Sequence, residues 1–304
     1  MKTVIVMMST YNGEKYLEEQ IDSILNQEGV VVKLVIRDDG STDRTKSIIK
    51  KYCKKYKNIE LYEGKNVGYI KSFMWLVQKV GFEKDTYYAF SDQDDVWNKY
   101  KLKAAIDKIV EQICDKPIMY YSDLNVVDKY GKFIKKANSW EGNINKYKLA
   151  VFIGIRGCTM VYNSRLQELL QMYKPGKISG HDTYIALLAF WTGIVIYDSN
   201  AYINYRQTGE NLSLTGKNSF DKLKKNFVYV KKRLTVRANI HECNAREILN
   251  GYEVYIPDAD KLKLVADYKR TISSKIKLLQ SREYFQFSSL INLFNLFFII
   301  IGKL

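Results

Sequence analysis

Five short apolar runs, 3–8 (TVIVMM), 32–37 (VKLVIR), 59–62 (IELY), 86–91 (TYYAFS) and 117–122 (PIMYYS), alternate with segments of helical spacing through the first 122 residues. Short apolar strands separated by helices pair in parallel. The pattern therefore predicts an α/β chain with a mostly parallel sheet flanked by helices. Leu17, Ile21, Ile24 and Leu25 mark the first helix, and Ile48, Ile49, Tyr52, Cys53 and Tyr56 the second. Residues 123–205 read as mixed, with strands near 157–162, 194–198 and 201–205 and a helix beginning near Asp182. Beyond about residue 216 the strand signal stops. Phe220, Leu223, Phe227, Val230 and Leu234 then recur among Lys222, Lys224, Lys225, Lys231, Lys232 and Arg233, the pattern of a basic amphipathic helix, and further helix is expected over 258–283. The apolar run after Asn295 is shorter than the ~20 residues a spanning helix needs. Two regions follow, a sheet domain over 1–216 and a helical extension over 217–304.

Composition removes several classes. With 46% hydrophobic residues and only 3 Pro in 304, the chain is neither disordered nor collagen-like. Cys53, Cys114, Cys158 and Cys243 lie far apart, which argues against a zinc knuckle or a disulfide framework and fits a reducing cytosol. The opening MKTVIVMMSTYNGE reads as a first strand rather than a signal peptide, because its apolar run ends in a polar loop. His181 and His241 are the only histidines, so multi-histidine metal sites are excluded. No GxSxG elbow, P-loop or GxGxxG occurs, which disfavours serine hydrolases, P-loop kinases and dinucleotide oxidoreductases.

In an open parallel sheet, ligands bind beyond the carboxyl ends of the strands. Four polar loops fall there: Ser9–Gly13, Arg37–Gly40, Gly64–Gly68 and Ser91–Asp95. The last carries Asp92, Asp94 and Asp95, three carboxylates in four residues that repel one another unless a cation or hydrogen-bond donors compensate them. Hard oxygen ligands of this kind suit Mg²⁺ or Mn²⁺ held jointly with substrate phosphates; the alternative is a solvated acidic turn capping a helix from Asn98. Asp38 and Asp39 serve turn formation and capping as readily as ligand binding. Lys65 stands either beside a phosphate or in a plain strand-to-helix turn. Asp182, at a helix start, is either a cap or a base able to activate a hydroxyl.

Taken in order, STYNGEKYLEEQIDSILNQ, VIRDDGSTD, GKNVGY, FSDQDDVW and GHD followed by YRQ resemble the family 2 glycosyltransferases of GT-A fold over about residues 1–210, with the greatest similarity to bacterial rhamnosyltransferase-like members. The resemblance implies a GT-A sheet domain with a helical C-terminal extension. It implies that Ser9, Thr10 and Tyr11 line the nucleotide base, that Asp39 hydrogen-bonds it, and that Lys65 lies near the nucleotide. Asp92–Gln93–Asp94 matches the metal-binding DxD motif, with Asp92 toward the ribose, Asp94 on the cation and Asp95 able to share either role. Asp182 matches the base of inverting members. His181, Arg206 and Gln207 fall on the acceptor or diphosphate side. Where rhamnosyltransferase-like relatives read YRQHG, this chain has Thr208, which is no equal substitute for an imidazole as metal ligand. Either Asp94, diphosphate and water hold the metal, or the donor differs from dTDP-rhamnose.

The implied function is inverting transfer of a sugar, rhamnose from dTDP-rhamnose, to a glycan or lipid-linked acceptor in cell-surface polysaccharide synthesis. Two alternatives stand beside it. A sugar-1-phosphate nucleotidyltransferase would need a glycine-rich basic loop, which STYNGE is not. A nucleic-acid-binding protein is suggested by the net charge of +15 alone, and the acidic rim argues against it. Residues 217–304 hold 17 Lys and Arg against 8 Asp and Glu, whereas 1–216 hold 31 against 25. Most of the excess thus lies in the extension. It is expected either to meet the anionic cytoplasmic face of the membrane as a peripheral element, or to pack as core or homo-oligomer interface.

Overall fold

A computed structural model describes residues 1–137, 144–151, 155–208, 239–285 and 289–304; the amphipathic stretch 220–234 lies outside them. In chain order the first elements are β1 (Lys2–Thr10), α1 (Leu17–Leu25), β2 (Val30–Asp38), α2 (Thr45–Lys55), β3 (Ile59–Glu63), α3 (Tyr69–Val80) and β4 (Thr86–Ser91). Then come β5 (Val96–Trp97), α4 (Lys101–Val110), β6 (Ile118–Val127), β7 (Phe133–Ala137), α5 (Lys146–Val151), β8 (Met160–Asn163), α6 (Ser164–Met172), α7 (His181–Thr192) and β9 (Ile194–Arg206). Four helices follow among the described residues: α8 (Ile240–Tyr252), α9 (Ala259–Ala266), α10 (Ile272–Gln280) and α11 (Ser289–Ile300).

Both faces of the central strands β1 and β4 are buried, as their apolar runs require, while the edge strand β3 is partly exposed. Val4, Val6 and Met8 of β1 share a core with Leu34 and Ile36 of β2, Leu17, Ile21 and Ile24 of α1, and Ile48 and Ile49 of α2. The alternate residues Ile5 and Met7 are equally buried, and α3 packs against β1 and β2. Phe73 of α3 meets Phe90 of β4 edge to face at 5.7 Å, and Phe90 is the register partner of Met7. The sheet is thus sandwiched between two helical layers, the expected α/β architecture.

The strand order is β3-β2-β1-β4-β8-β6-β9-β5, with β7 paired to β6. The β3–β2–β1–β4 half and the β6–β9 pair are parallel, while β8 lies antiparallel between β4 and β6. Four expectations shift. The strand read near 157–162 starts only at Met160, after a 3₁₀ turn over Gly157–Thr159, and the helix read over 258–283 is two helices, α9 and α10. The helix anticipated from Asn98 starts at Lys101, because Val96 and Trp97 pair with Asn204 and Ile203 and the Asn98 amide donates to the Tyr202 carbonyl at 2.8 Å. The strands expected at 194–198 and 201–205 are one strand, β9, with a register shift where Asp198 accepts the Asn200 backbone amide at 2.9 Å.

Two compact units form. The first, Met1–Asn143, Gly154–Lys174 and Gly180–Gln207, carries the whole sheet. The second gathers Ile144–Ile153, Pro175–Ser179 and Thr208–Leu304. Its core includes Leu149, Ile248, Tyr252, Leu262, Val265, Tyr268, Leu278 and Tyr284. Asn244 Nδ2 donates to Ser179 Oγ at 2.7 Å, and the Leu304 amide donates to the Tyr268 hydroxyl at 2.8 Å.

Within the first unit the α7–β9 turn presses on the start of β6: a Cβ at Gly193 would lie 2.0 Å from the Pro117 carbonyl oxygen. Backbone cannot yield there as a flexible side chain could. Gly193→Ala is expected to destabilise the fold by about 1–3 kcal/mol, read as a lower urea midpoint with an unchanged slope.

Candidate active site

In the half-sheet β3-β2-β1-β4 the chain moves outward from β1 on one side and then returns to its other side, so the topology switches between β1 and β4. Loops on both sides of such a switch open a crevice at the carboxyl ends of the strands. Every loop singled out in the sequence reaches this rim.

The loops are fastened side chain to backbone. The Asp38 carboxylate accepts the Thr10 hydroxyl at 3.0 Å, the Ser41 hydroxyl at 2.5 Å, and the amides of Gly40 and Ser41 at 3.2 and 2.9 Å. Ser41 Oγ in turn accepts the Asn12 amide at 2.9 Å, and Thr45 Oγ1 the Gly13 amide at 2.8 Å. From the acidic loop, Gln93 grips Tyr11 at both backbone groups, accepting its N–H at 2.9 Å and donating to its C=O at 3.0 Å. A Cβ at Gly13 would fall 2.3 Å from Gln93 Oε1, so glycine is what lets this fork close. Tyr11 itself is exposed, Thr10 is buried, and the Ser9 hydroxyl donates to Ser72 Oγ at 2.6 Å.

Asp39 is buried and already well served. Its carboxylate accepts the Val67 amide at 3.0 Å, the Gly68 amide at 2.9 Å and the Arg37 guanidinium. Arg37, also buried, donates to Ser72 Oγ at 3.0 Å and the Lys65 carbonyl at 3.2 Å and lies 5.6 Å from the Trp75 ring. Asp39 therefore pins the 64–68 loop to β2, with the Lys65 side chain exposed on the rim.

The acidic loop lies against residues from distant parts of the chain. Ligand atoms of Asp92, Asp95 and Cys158 fall within 4.8 Å of one another. Burial, then the charges of Asp94 and Asp182, pushes the Asp92 carboxyl up to about 7. Burial also raises Asp94, and burial with Asp92 and Asp94 raises Asp95 well above the usual carboxylate range. Asp95 Oδ1 accepts the Arg206 amide at 3.1 Å, while its buried Oδ2 has no hydrogen-bond partner among the described residues. The Arg206 side chain, 3% exposed as a residue, donates to the Asp94 carbonyl at 3.0 Å and to Glu19 at 2.5 Å, and lies over the Tyr16 ring. Arg206, expected on the diphosphate side, thus holds the acidic loop in place. Beside it the Gln207 amide donates to the Val127 carbonyl at 2.8 Å.

Asp182 occupies the first turn of α7, where its Oδ1 accepts the Thr183 amide at 2.7 Å. Its charge is one of those that raise Asp92, so α7 brings a fourth carboxylate to the acidic loop. His181 turns the other way. Only 5% exposed, it stacks on Phe73 at 4.0 Å and meets Phe90 at 5.1 Å, and burial lowers its pKa. The residue expected to face the acceptor packs chiefly among aromatic rings.

Three contributors have no motif to mark them in the sequence. Arg156 has a charge that lowers Asp92 and Cys158, and lies 5.5 Å from the Tyr205 ring. Cys158 sits at the acidic loop itself. Lys101 is buried, its Nζ 3.5 Å from the centre of the Trp97 ring, and burial lowers its pKa to about 7. Arg37, a charge in the fully buried half of β2, carried a signal that could have marked a buried pair.

A Rossmann-like sheet with a polar, acidic rim at its switch point is the architecture of the GT-A fold. Residues 5–170, more than half the chain, match the family described as Glycosyl transferase family 2, and the chain belongs to that family. It is 43% identical over 106 residues to the dTDP-rhamnosyl transferase RfbG of Shigella flexneri, a match covering 34% of this chain and 37% of that protein. It thus spans little more than a third of that relative. The putative teichuronic acid biosynthesis glycosyltransferase TuaG of Bacillus subtilis (strain 168) is 29% identical over 218 residues, 69% of this chain and 81% of its own length. Among solved structures, S. aureus TarS 1–349 in complex with UDP-GlcNAc superposes with a TM-score of 0.58 at 21% identity, covering 98% of this chain and 79% of that one.

Two predictions follow from the geometry. Arg37→Met leaves the Asp39 carboxylate buried without its cation and is expected to cost about 3–5 kcal/mol in urea unfolding, with part recovered in Arg37→Met/Asp39→Asn. Asp92 has a raised pKa, so between about pH 4 and 7 the folded state holds a proton that the unfolded chain has lost. Stability in chelator should therefore fall as pH rises across that window, and Asp92→Asn should flatten the fall; an unchanged slope would contradict the assignment.

Proposed function

We propose that the chain transfers a sugar from a nucleoside-diphosphate donor to a hydroxyl acceptor with inversion. The observation that carries the reading is the convergence of the acidic loop with Asp182 at the switch-point rim: ligand atoms of Asp92, Asp95 and Cys158 lie within 4.8 Å of one another, and a Cβ on Gly157, next to Cys158, would lie 3.5 Å from the Asp182 Cβ. In the proposed step Asp182 takes the proton of the acceptor hydroxyl, whose oxygen attacks the anomeric carbon. The bond from that carbon to the diphosphate oxygen breaks on the opposite face and the diphosphate leaves with the electron pair. Ser9, Thr10, Tyr11, Asp39 and Lys65 line the nucleotide side, Asp39 chiefly by fixing the 64–68 loop.

The acidic loop suits a divalent cation. Its carboxylates crowd one another, and one buried oxygen of Asp95 has no hydrogen-bond partner among the described residues. Asp94 and Asp92, with Asp95 behind them, would hold Mg²⁺ or Mn²⁺, which when bound supplies positive charge to the departing diphosphate.

Similarity to RfbG favours dTDP-rhamnose as donor, and similarity to TuaG favours a cell-surface polysaccharide as product. The acceptor is then a glycan or lipid-linked saccharide met at the inner face of the membrane, where the basic C-terminal region finds anionic lipid.

The test is release of nucleoside diphosphate from a panel of nucleotide sugars with and without Mg²⁺ or Mn²⁺. Metal-dependent release from dTDP-rhamnose is expected; turnover of UDP-sugars alone would remove rhamnose, and none with any donor would remove the transferase reading. Asp182→Asn should lower transfer by about 10²-fold or more while nucleotide binding persists. Asp94→Ala should weaken metal-dependent binding of the nucleoside diphosphate in calorimetry, and an unchanged titration would reject that ligand.

A further inference from the structure

In the second unit, α11 is apolar on both sides. Phe298 and Ile299 are buried, together with the polar Asn295, whereas Leu293, Phe297 and Ile300, three and four residues apart on another face, are 63%, 45% and 59% exposed. A soluble helix ordinarily keeps its outward face polar, so an apolar outward face calls for a covering surface. Helix α10 packs against α11, with Lys275 Nζ donating to the Ile300 carbonyl at 3.0 Å, and it too exposes apolar residues one turn apart, Ile272 at 81% and Ile276 at 46%.

Charge identifies the cover. Residues 269–304 hold six cations against one acid, Glu283; Lys269 is paired with Glu242 at 2.6 Å and Arg270 with Asp267 at 3.7 Å, so Lys275, Lys277, Arg282 and Lys303 carry the excess. Glu283 is bound by Lys261 at 2.5 Å. A second copy would set one basic surface against another, a repulsive arrangement. An anionic bilayer matches both features, with apolar side chains entering the headgroup boundary among lysines and arginines that meet phosphate. Spanning is excluded for this helix: 12 residues reach about 18 Å, short of the ~30 Å hydrocarbon layer.

We propose that the outward faces of α10 and α11, centred on Ile272, Ile276, Leu293, Phe297 and Ile300, form a docking surface for anionic lipid on which the second unit lies in the plane of the membrane. This deepens the membrane part of the proposed function and rests on it only for biological purpose. The surface itself follows from exposure and charge.

Flotation of the full chain with phosphatidylcholine vesicles containing about a third phosphatidylglycerol tests it. The chain should rise with these vesicles and partition about tenfold less onto phosphatidylcholine alone. Leu293→Ser/Phe297→Ser/Ile300→Ser should lower partition about tenfold or more while the thermal melt is retained. Should that variant fail to fold, Phe297→Trp replaces it, and its added emission should be quenched by brominated acyl chains in the anionic vesicles. Equal partition onto both vesicles, partition unchanged by the triple variant, or absence of quenching would overturn the proposal. So would self-association removed by the triple variant without vesicle binding, since a second copy would then be the cover. Sugar transfer to a soluble acceptor without flotation would reject the surface and leave the transferase; flotation without transfer from any donor would do the reverse.

Discussion

Repulsion among Asp92, Asp94 and Asp95 is the constraint around which the rim is organised. Three carboxylates at the end of a buried strand cannot all be ionised without compensation. The protein compensates from a distance: the Arg206 amide and guanidinium clasp the loop, Arg156 adds positive potential, and Lys101 lies buried near Asp95 and Cys158. Compensation remains partial, as the raised carboxyls show. A loop neutralised completely by its own protein would have little affinity for an external cation.

The opposite side of the crevice is stiff. Asp38 draws Thr10, Gly40 and Ser41 together, Asp39 and Arg37 tie the 64–68 loop to β2, and the Gln93 fork joins the acidic loop to Tyr11. Such cross-bracing means that a ligand entering between β1 and β4 meets polar groups already in place, which reduces the ordering cost of binding. Asp39 illustrates the division of labour: a residue that sequence similarity directs at the base acts in the structure first as a brace.

Most of the sheet was legible in the sequence because β1, β2, β3, β4 and β6 are apolar runs of conventional length, and their loops could be placed on one rim from topology alone. Other elements carry weaker local signals. β5 is two residues long and exists only by pairing with β9, while β7, FIKKA, is lysine-rich and largely exposed. α6 did carry a readable cap, Asn163, whose side chain accepts the Leu166 amide at 3.1 Å ahead of buried Leu166, Leu169 and Leu170. Within the site the carboxylates were visible as a motif, but Cys158 and Arg156 were not. They approach the acidic loop because β8 inserts antiparallel between β4 and β6, a pairing with no local signature. The burial of His181 was hidden for the same reason, since it depends on Phe73 and Phe90 from other elements.

That insertion also governs the order in which the rim can be completed. Asp92–Asp95 leave the ribosome early, but Cys158 follows more than sixty residues later, and the Arg206 clasp spans 111 and 112 residues of sequence. Contacts of such separation form late, after long loops have closed. During synthesis the β3-β2-β1-β4 half can assemble first, with an acidic loop that lacks its clasp. The half-sheet and its loops can thus be in place before the Arg206 clasp reaches the acidic loop, and the arrival of β9 completes the rim.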